Sequence, residues 1–112
     1  MNIFEHHLKE IQDLISINKS QLSLKNIDNL NRVSLEIPPA QFNYDLSCNI
    51  AMVLGKSNKL NPKNLAQKLK KFFSDNINSF SDIEIAGPGF LNIKLSKNAL
   101  LKSASYFKKD LI

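Results

Sequence analysis

Apolar and polar positions repeat along this chain with two different periods, and the switches between them mark out the elements. From Asn2 to about Ile17, Phe4, Leu8, Ile11 and Ile15 recur every three to four residues, with Ile3, His7 and Leu14 beside them. That spacing predicts a helix with one buried face. Residues 18–32 are polar and irregular, with scattered leucines and Ile27, and predict a connection holding at most a short helix. Val33-Ser34-Leu35-Glu36-Ile37 alternates strictly and predicts a half-buried strand that Pro38-Pro39 ends. Residues 42–45 suggest a short extended piece. Asp45 or Ser47 is the expected N-cap of a helix whose stripe is Ile50, Ala51, Val53 and Leu54. Asn61-Pro62 opens the next helix, with Asn as cap and Pro at the first helical position. Leu65, Leu69, Phe72, Phe73 and Ile77 line its apolar side.

The period then returns to two. Ile83 to Ala86 predicts a strand, Gly87-Pro88-Gly89 a turn, and Phe90 to Leu95 the returning strand of a hairpin. Ser96 or Asn98 caps a last helix, with Leu100, Leu101, Ala104, Phe107 and Leu111 on its apolar side. Strands and helices in mixed order around one hairpin predict an α+β domain. Its small antiparallel sheet has three to four strands, including the 83–95 hairpin, and about four helices cover one face. At 112 residues the chain is the size of a single domain, taken here as 1–112.

Alternation in the returning strand separates two faces. Leu91, Ile93 and Leu95 belong to the core, while Phe90, Asn92 and Lys94 point the other way, beside Glu84, Glu36 and Ser34. An exposed ring followed by an amide suits an unpaired base. The ring offers a stacking surface, and the amide can both donate to and accept from a base edge. Lys94 can approach a phosphate, and Gly87 and Gly89 allow a close backbone approach. The competing reading folds Phe90 over the hairpin as a packing residue under Pro88 or a loop.

Composition narrows the function classes. Hydrophobic residues at 43% and charged residues at 22% exclude a disordered chain, and three Gly exclude a collagenous one. No apolar run approaches the roughly 20 residues of a membrane span, and no signal peptide is visible at the N-terminus. The lone Cys48 fits a reducing, cytoplasmic setting as a small buried residue. The net charge of +5 and the fourteen Lys beside one Arg point to a polyanion partner or to a solvated basic surface. Lys63, Lys68, Lys70 and Lys71 fit a solvated face, with a phosphate-facing one as the alternative. His6 and His7 project about 100° apart on a helix, so no metal site is expected. Asp45, Asp82 and Glu84 have no nucleophile or base beside them, and no catalytic residue is assigned. Asn49 is a candidate to bond the backbone of a neighbouring loop.

Two stretches resemble a known family. Asp45-Leu46-Ser47-Cys48-Asn49-Ile50-Ala51-Met52 with Lys56 is similar to the first signature of the N-terminal additional domain of bacterial arginyl-tRNA synthetase. Ile83 to Ile93, with Gly87-Pro88-Gly89 at its centre, is similar to the second. The resemblance implies an α+β module that contacts the D-loop at the outer corner of tRNA(Arg). It implies tRNA-binding roles for Phe90, Asn92, Gly89, Lys94 and Lys56, with Phe90 holding and Asn92 reading a base. Asp45, Ser47, Asn49, Gly87 and Pro88 would form the supporting scaffold. The class I catalytic signatures of such an enzyme are absent from this sequence, so the chain reads as an excised domain or a stand-alone copy that is inactive by itself. No cofactor is expected here, since ATP and Mg2+ belong to the full enzyme. Its partners would be tRNA(Arg) and the remainder of the synthetase in cis, with no membrane and no DNA. The alternative is a protein-interaction module anchored by Phe90.

Overall fold

The computed structural model describes residues 3–101. Three helices, α1 (Ile3–Ile17), α2 (Ile50–Asn58) and α3 (Pro62–Asn76), combine with four strands, β1 (Leu35–Glu36), β2 (Leu46–Cys48), β3 (Phe80–Ala86) and β4 (Phe90–Leu95). A fourth helix begins at Lys97, where the Ser96 hydroxyl accepts the Ala99 N–H at 3.1 Å. Ala104, Phe107 and Leu111, expected on its apolar side, lie outside the described residues. The sheet is antiparallel throughout, in the order β1-β2-β4-β3, and the α+β expectation holds.

Three helices pack on one face of the sheet because their apolar stripes match its inner rows. One inner row runs Leu35, Cys48, Leu91 and Ile85, and the next Leu46, Ile93 and Ile83. Leu65, Leu69, Phe72, Phe73 and Ile77 are all buried, as the α3 spacing predicts. The Asn61 side chain accepts from Lys63 and Asn64 N–H, with Pro62 opening the helix, so this cap is also as expected. Helix α1 is rotated slightly from expectation. Ile3, His7, Ile11 and Ile15 form its buried line, while Phe4, Leu8 and Leu14 pack at the margin. His7 is a core residue: its Nδ1 lies 3.2 Å from Glu10 Oε1, and its ring packs on Phe80.

The segment before α2 departs most from the sequence expectation. Residues 46–48 form a central strand, not the first turn of a helix. The N-cap residue of α2 is Asn49, so neither Asp45 nor Ser47 caps it. Asp45 instead extends the ladder to β4: its N–H donates to Ile93 O at 2.9 Å, and its carboxylate accepts the Leu95 N–H at 2.8 Å. A short polar side chain that binds local backbone at a helix start can as readily bind a neighbouring strand. The predicted strand over 33–37 pairs only at Leu35 and Glu36, and the piece over 42–45 follows a single 3-10 turn at Ala40–Phe42. Strand β3 begins at Phe80, three residues earlier than predicted. A register shift between Phe80 and Asp82 accommodates an extra residue, and that irregularity hides the strand from a period-two search.

Candidate nucleic-acid interface

The face of the sheet away from the helices carries one row across all four strands: Glu36, Ser47, Asn92 and Glu84, each opposite the next. Phe90 and Lys94 flank Asn92 along β4, opposite Ala86 and Asp82. The side-chain alternation anticipated for β4 is therefore the one observed, although burial is not uniform along it. Phe90 is 37% exposed, Lys94 is partly exposed, and Asn92 is only 4% exposed. Among the described residues none hydrogen-bonds the Asn92 amide, and neither amide atom is sealed from solvent. A buried amide whose tip opens onto a groove keeps its donor and its acceptor available.

That groove has a volume of about 360 Å3. One wall is the hairpin tip, with Pro88 and Phe90; the floor holds Ser47 and Asn92. The far wall is Ile37 and Phe42, 75% and 44% exposed. Sequence reasoning did not find this far wall. Period two had placed Ile37 with Val33 and Leu35 on the inner side of a strand, but pairing stops at Glu36 and leaves Ile37 exposed, while Phe42 fitted no period.

The turn is held from behind. Gly87 has φ +55° and Gly89 φ +139°, conformations that L side chains rarely adopt. The Gly89 N–H donates to Ala86 O at 3.3 Å. Gly89 is buried, and a Cβ there would meet Pro62 Cβ at 3.2 Å and Pro62 C and O at 3.3 Å. The backbone that Gly89 admits is thus that of Pro62, at the start of α3. Pro88 and Gly87 remain exposed at the tip.

Tyr44 sits at the β3 side of the same face. Its hydroxyl donates to Asp82 Oδ2 at 3.1 Å, and its phenol is pushed up to about 12, chiefly by a hydrogen bond to Glu84 and then by burial and Asp82. The Tyr44 hydroxyl thus stays neutral beside the two β3 carboxylates, donating to Asp82, next to the Asn92 row.

The first signature stretch works as a set of backbone clamps. Asp45 binds β4 as described. The Asn49 Oδ1 accepts the Ser34 N–H at 2.8 Å, and its Nδ2 donates to Arg32 O at 3.3 Å. Asn49 thus does bond a neighbouring loop. Ser47 supplies a hydroxyl to the groove floor. Lys56 is exposed and lines a further shallow cleft with Arg32. Of the α3 lysines, Lys68 Nζ donates to Leu22 O at 2.8 Å, and Lys71 makes an exposed ion pair with Asp75 at 3.5 Å. Cys48 is fully buried, and burial pushes its thiol up to about 12. The ligand atoms of His6, His7 and Glu10 lie within 4.8 Å of one another, closer than helical geometry suggested for the two histidines. None of the described helices is long and apolar enough to cross a membrane.

The Arginyl tRNA synthetase N terminal domain family matches residues 3–95. The arginine–tRNA ligase of Pelagibacter ubique is 38% identical over 113 aligned residues, covering 98% of this chain and 20% of that protein. The arginine–tRNA ligase of Bartonella bacilliformis is 38% identical over 88% of the chain and 17% of its own length. That of Cupriavidus metallidurans is 47% identical over 63% of the chain and 12% of its own length. The chain thus spans about a fifth of the length of the first of these relatives.

Proposed function

Because this chain belongs to the arginyl-tRNA synthetase N-terminal domain family, we propose that its open sheet face recognises the D-loop at the outer corner of tRNA(Arg). Phe90 stacks on an unpaired base, and Asn92 reads that base's edge. The carrying observation is the Asn92 amide, 4% exposed and without a hydrogen-bond partner among the described residues, beside a ring that opens onto a groove. A rigid strand fixes both side chains, so little conformational freedom is lost when a base enters. Stacking of this kind contributes about 1–3 kcal/mol per base. Lys94, and Lys56 farther off, supply positive charge for phosphate.

In this reading the domain binds and orients tRNA for protein biosynthesis in the cytoplasm. ATP-dependent joining of arginine, with its Mg2+, belongs to other parts of a longer synthetase, and the domain alone is inactive. Phe90→Ala in such an enzyme weakens tRNA binding, while arginine activation stays near normal once tRNA is saturating.

The test is an NMR titration of the labelled chain with an arginine tRNA transcript at low and then higher salt. Shifts centred on residues 87–94, lost in Phe90→Ala and weakened by salt, support the reading. Binding that ignores salt and does not prefer RNA would instead favour a protein partner for Phe90. No shift at all, together with normal tRNA kinetics of Phe90→Ala in the longer enzyme, overturns it.

A further inference from the structure

The groove at the hairpin does not end at Phe90. Phe90, Ser47 and Glu36 also line a second hollow of about 230 Å3, whose other end is Asn49 and Met52. Asn49 and Met52 in turn line a third of about 200 Å3, whose outer residues are Asn29, Arg32 and Lys56. Shared walls therefore join three hollows into one trough from the hairpin tip, past Phe90 and over Met52, to Arg32 and Lys56.

The two ends differ in chemistry. The hairpin end has an aromatic ring, an amide and the carboxylate of Glu36. At the other end the described lining residues include two cations and two amides but no carboxylate. Arg32 is the only arginine among fifteen basic residues. It is exposed and makes no ion pair among the described residues. Its backbone is nevertheless held: Asn49 binds its carbonyl and the Ser34 N–H two residues on. An arginine on a clamped backbone, with a lysine across a shallow cleft, presents fork-shaped donors and a point charge to one anion.

We infer that the Arg32–Lys56 cleft binds a backbone phosphate of the same single-stranded RNA segment whose base stacks on Phe90. The inference rests on the base-reading role proposed above. It adds Arg32 as a binding residue and gives the bound strand a direction across the sheet, base at the hairpin and phosphodiester at the α2 side. It also gives the first signature a purpose in binding: Asn49 positions Arg32, and Lys56 follows two turns along the same helix.

The experiment measures affinity of the chain for the arginine tRNA transcript across a salt series, for wild type, Arg32→Ala, Arg32→Lys, Lys56→Ala and Phe90→Ala. Removing one cation from a phosphate of a single-stranded segment flattens the slope of log K against log salt by about 0.7. Because both cations face one phosphate, Arg32→Ala and Lys56→Ala are each expected to flatten the slope by up to that amount and to weaken binding by up to about eightfold at 50 mM salt. Arg32→Lys should recover most of the slope. Melting temperatures should be unchanged, because the Asn49 clamp uses the Arg32 carbonyl and not its guanidinium. If both cation variants keep the wild-type slope while Phe90→Ala still binds more weakly, the phosphate cleft is wrong and the base reading stands. If Phe90→Ala binds like wild type, the base reading fails and this inference falls with it.

Discussion

Asn49→Ala tests the clamp on which the arrangement around Arg32 depends. The substitution removes two hydrogen bonds, one of 2.8 Å to the part-buried Ser34 N–H and one of 3.3 Å to the exposed Arg32 carbonyl. A net contribution of about 1 kcal/mol is typical of the first, and about 0.5 kcal/mol of the second. Leaving the Ser34 N–H partly shielded from water adds up to about 1 kcal/mol. The expected loss is therefore about 1.5–2.5 kcal/mol. With an unfolding entropy of about 2.1 cal/mol/K per residue, a chain of this size loses about 4 °C per kcal/mol, so the midpoint should fall by roughly 6–10 °C. Thermal melting followed by far-UV circular dichroism measures it. Asn49→Asp keeps an acceptor for Ser34 and loses the donor to Arg32, so it should fall in between. A midpoint for Asn49→Ala within about 2 °C of wild type would refute the clamp.

Three further outcomes follow from the same geometry. Gly89→Ala should destabilise the chain by about 1–3 kcal/mol, from its backbone conformation and from its close approach to Pro62. Gly87→Ala, whose Cβ would meet only the Phe90 ring at an ordinary 3.9 Å, should cost less; equal urea midpoints would contradict the packing described. Asp45→Ala should lose about 1.5–3 kcal/mol through the charge-assisted bond to the Leu95 N–H, while Asp45→Asn, with an acceptor of the same shape, should retain much of it. Cys48 should react with a thiol reagent at pH 8 far more slowly in the native chain than in the unfolded one, since its thiol is fully buried and burial pushes it up to about 12. Because the folded value is the raised one, the stability it contributes is complete below pH 9 and is lost between pH 9 and 12, a window that equilibrium unfolding against pH would show.

Much of this was legible residue by residue. Helix α3 and its Asn-Pro start were readable because cap, stripe and length are all local. Strand β4 was readable because five residues, Leu91 to Leu95, alternate without interruption. Strand β2 was not, for three residues give too short a pattern, and Asp45 uses its carboxylate on Leu95, fifty residues away in sequence. The outward set of Phe90, Asn92 and Lys94 followed from alternation alone. The burial of Asn92 did not, because its neighbours Ser47 and Glu84 arrive from separate strands. The far wall at Ile37 and Phe42 and the cleft at Arg32 likewise depend on juxtapositions made only after folding. Arg32 left one faint trace, a lone arginine in a chain that otherwise uses lysine.

The irregularity between Phe80 and Asp82 has an effect on how this domain tolerates change in length. Phe80 and Ile83 both face the core although they are three apart, an odd interval that a regular strand cannot accommodate. Ser81 absorbs the mismatch, with its hydroxyl donating to Lys94 O at 3.1 Å. Removing Ser81 leaves Phe80 inward, Asp82 outward and Ile83 inward, so the strand keeps its phase. Removing one residue between Ile83 and Ala86 shifts the parity of everything from there to the turn relative to β4, and exchanges the acidic and apolar sides of β3 beside Asn92. Chain length at the far end of this hairpin is thus forgiving, while near its tip it is quantised in steps of two.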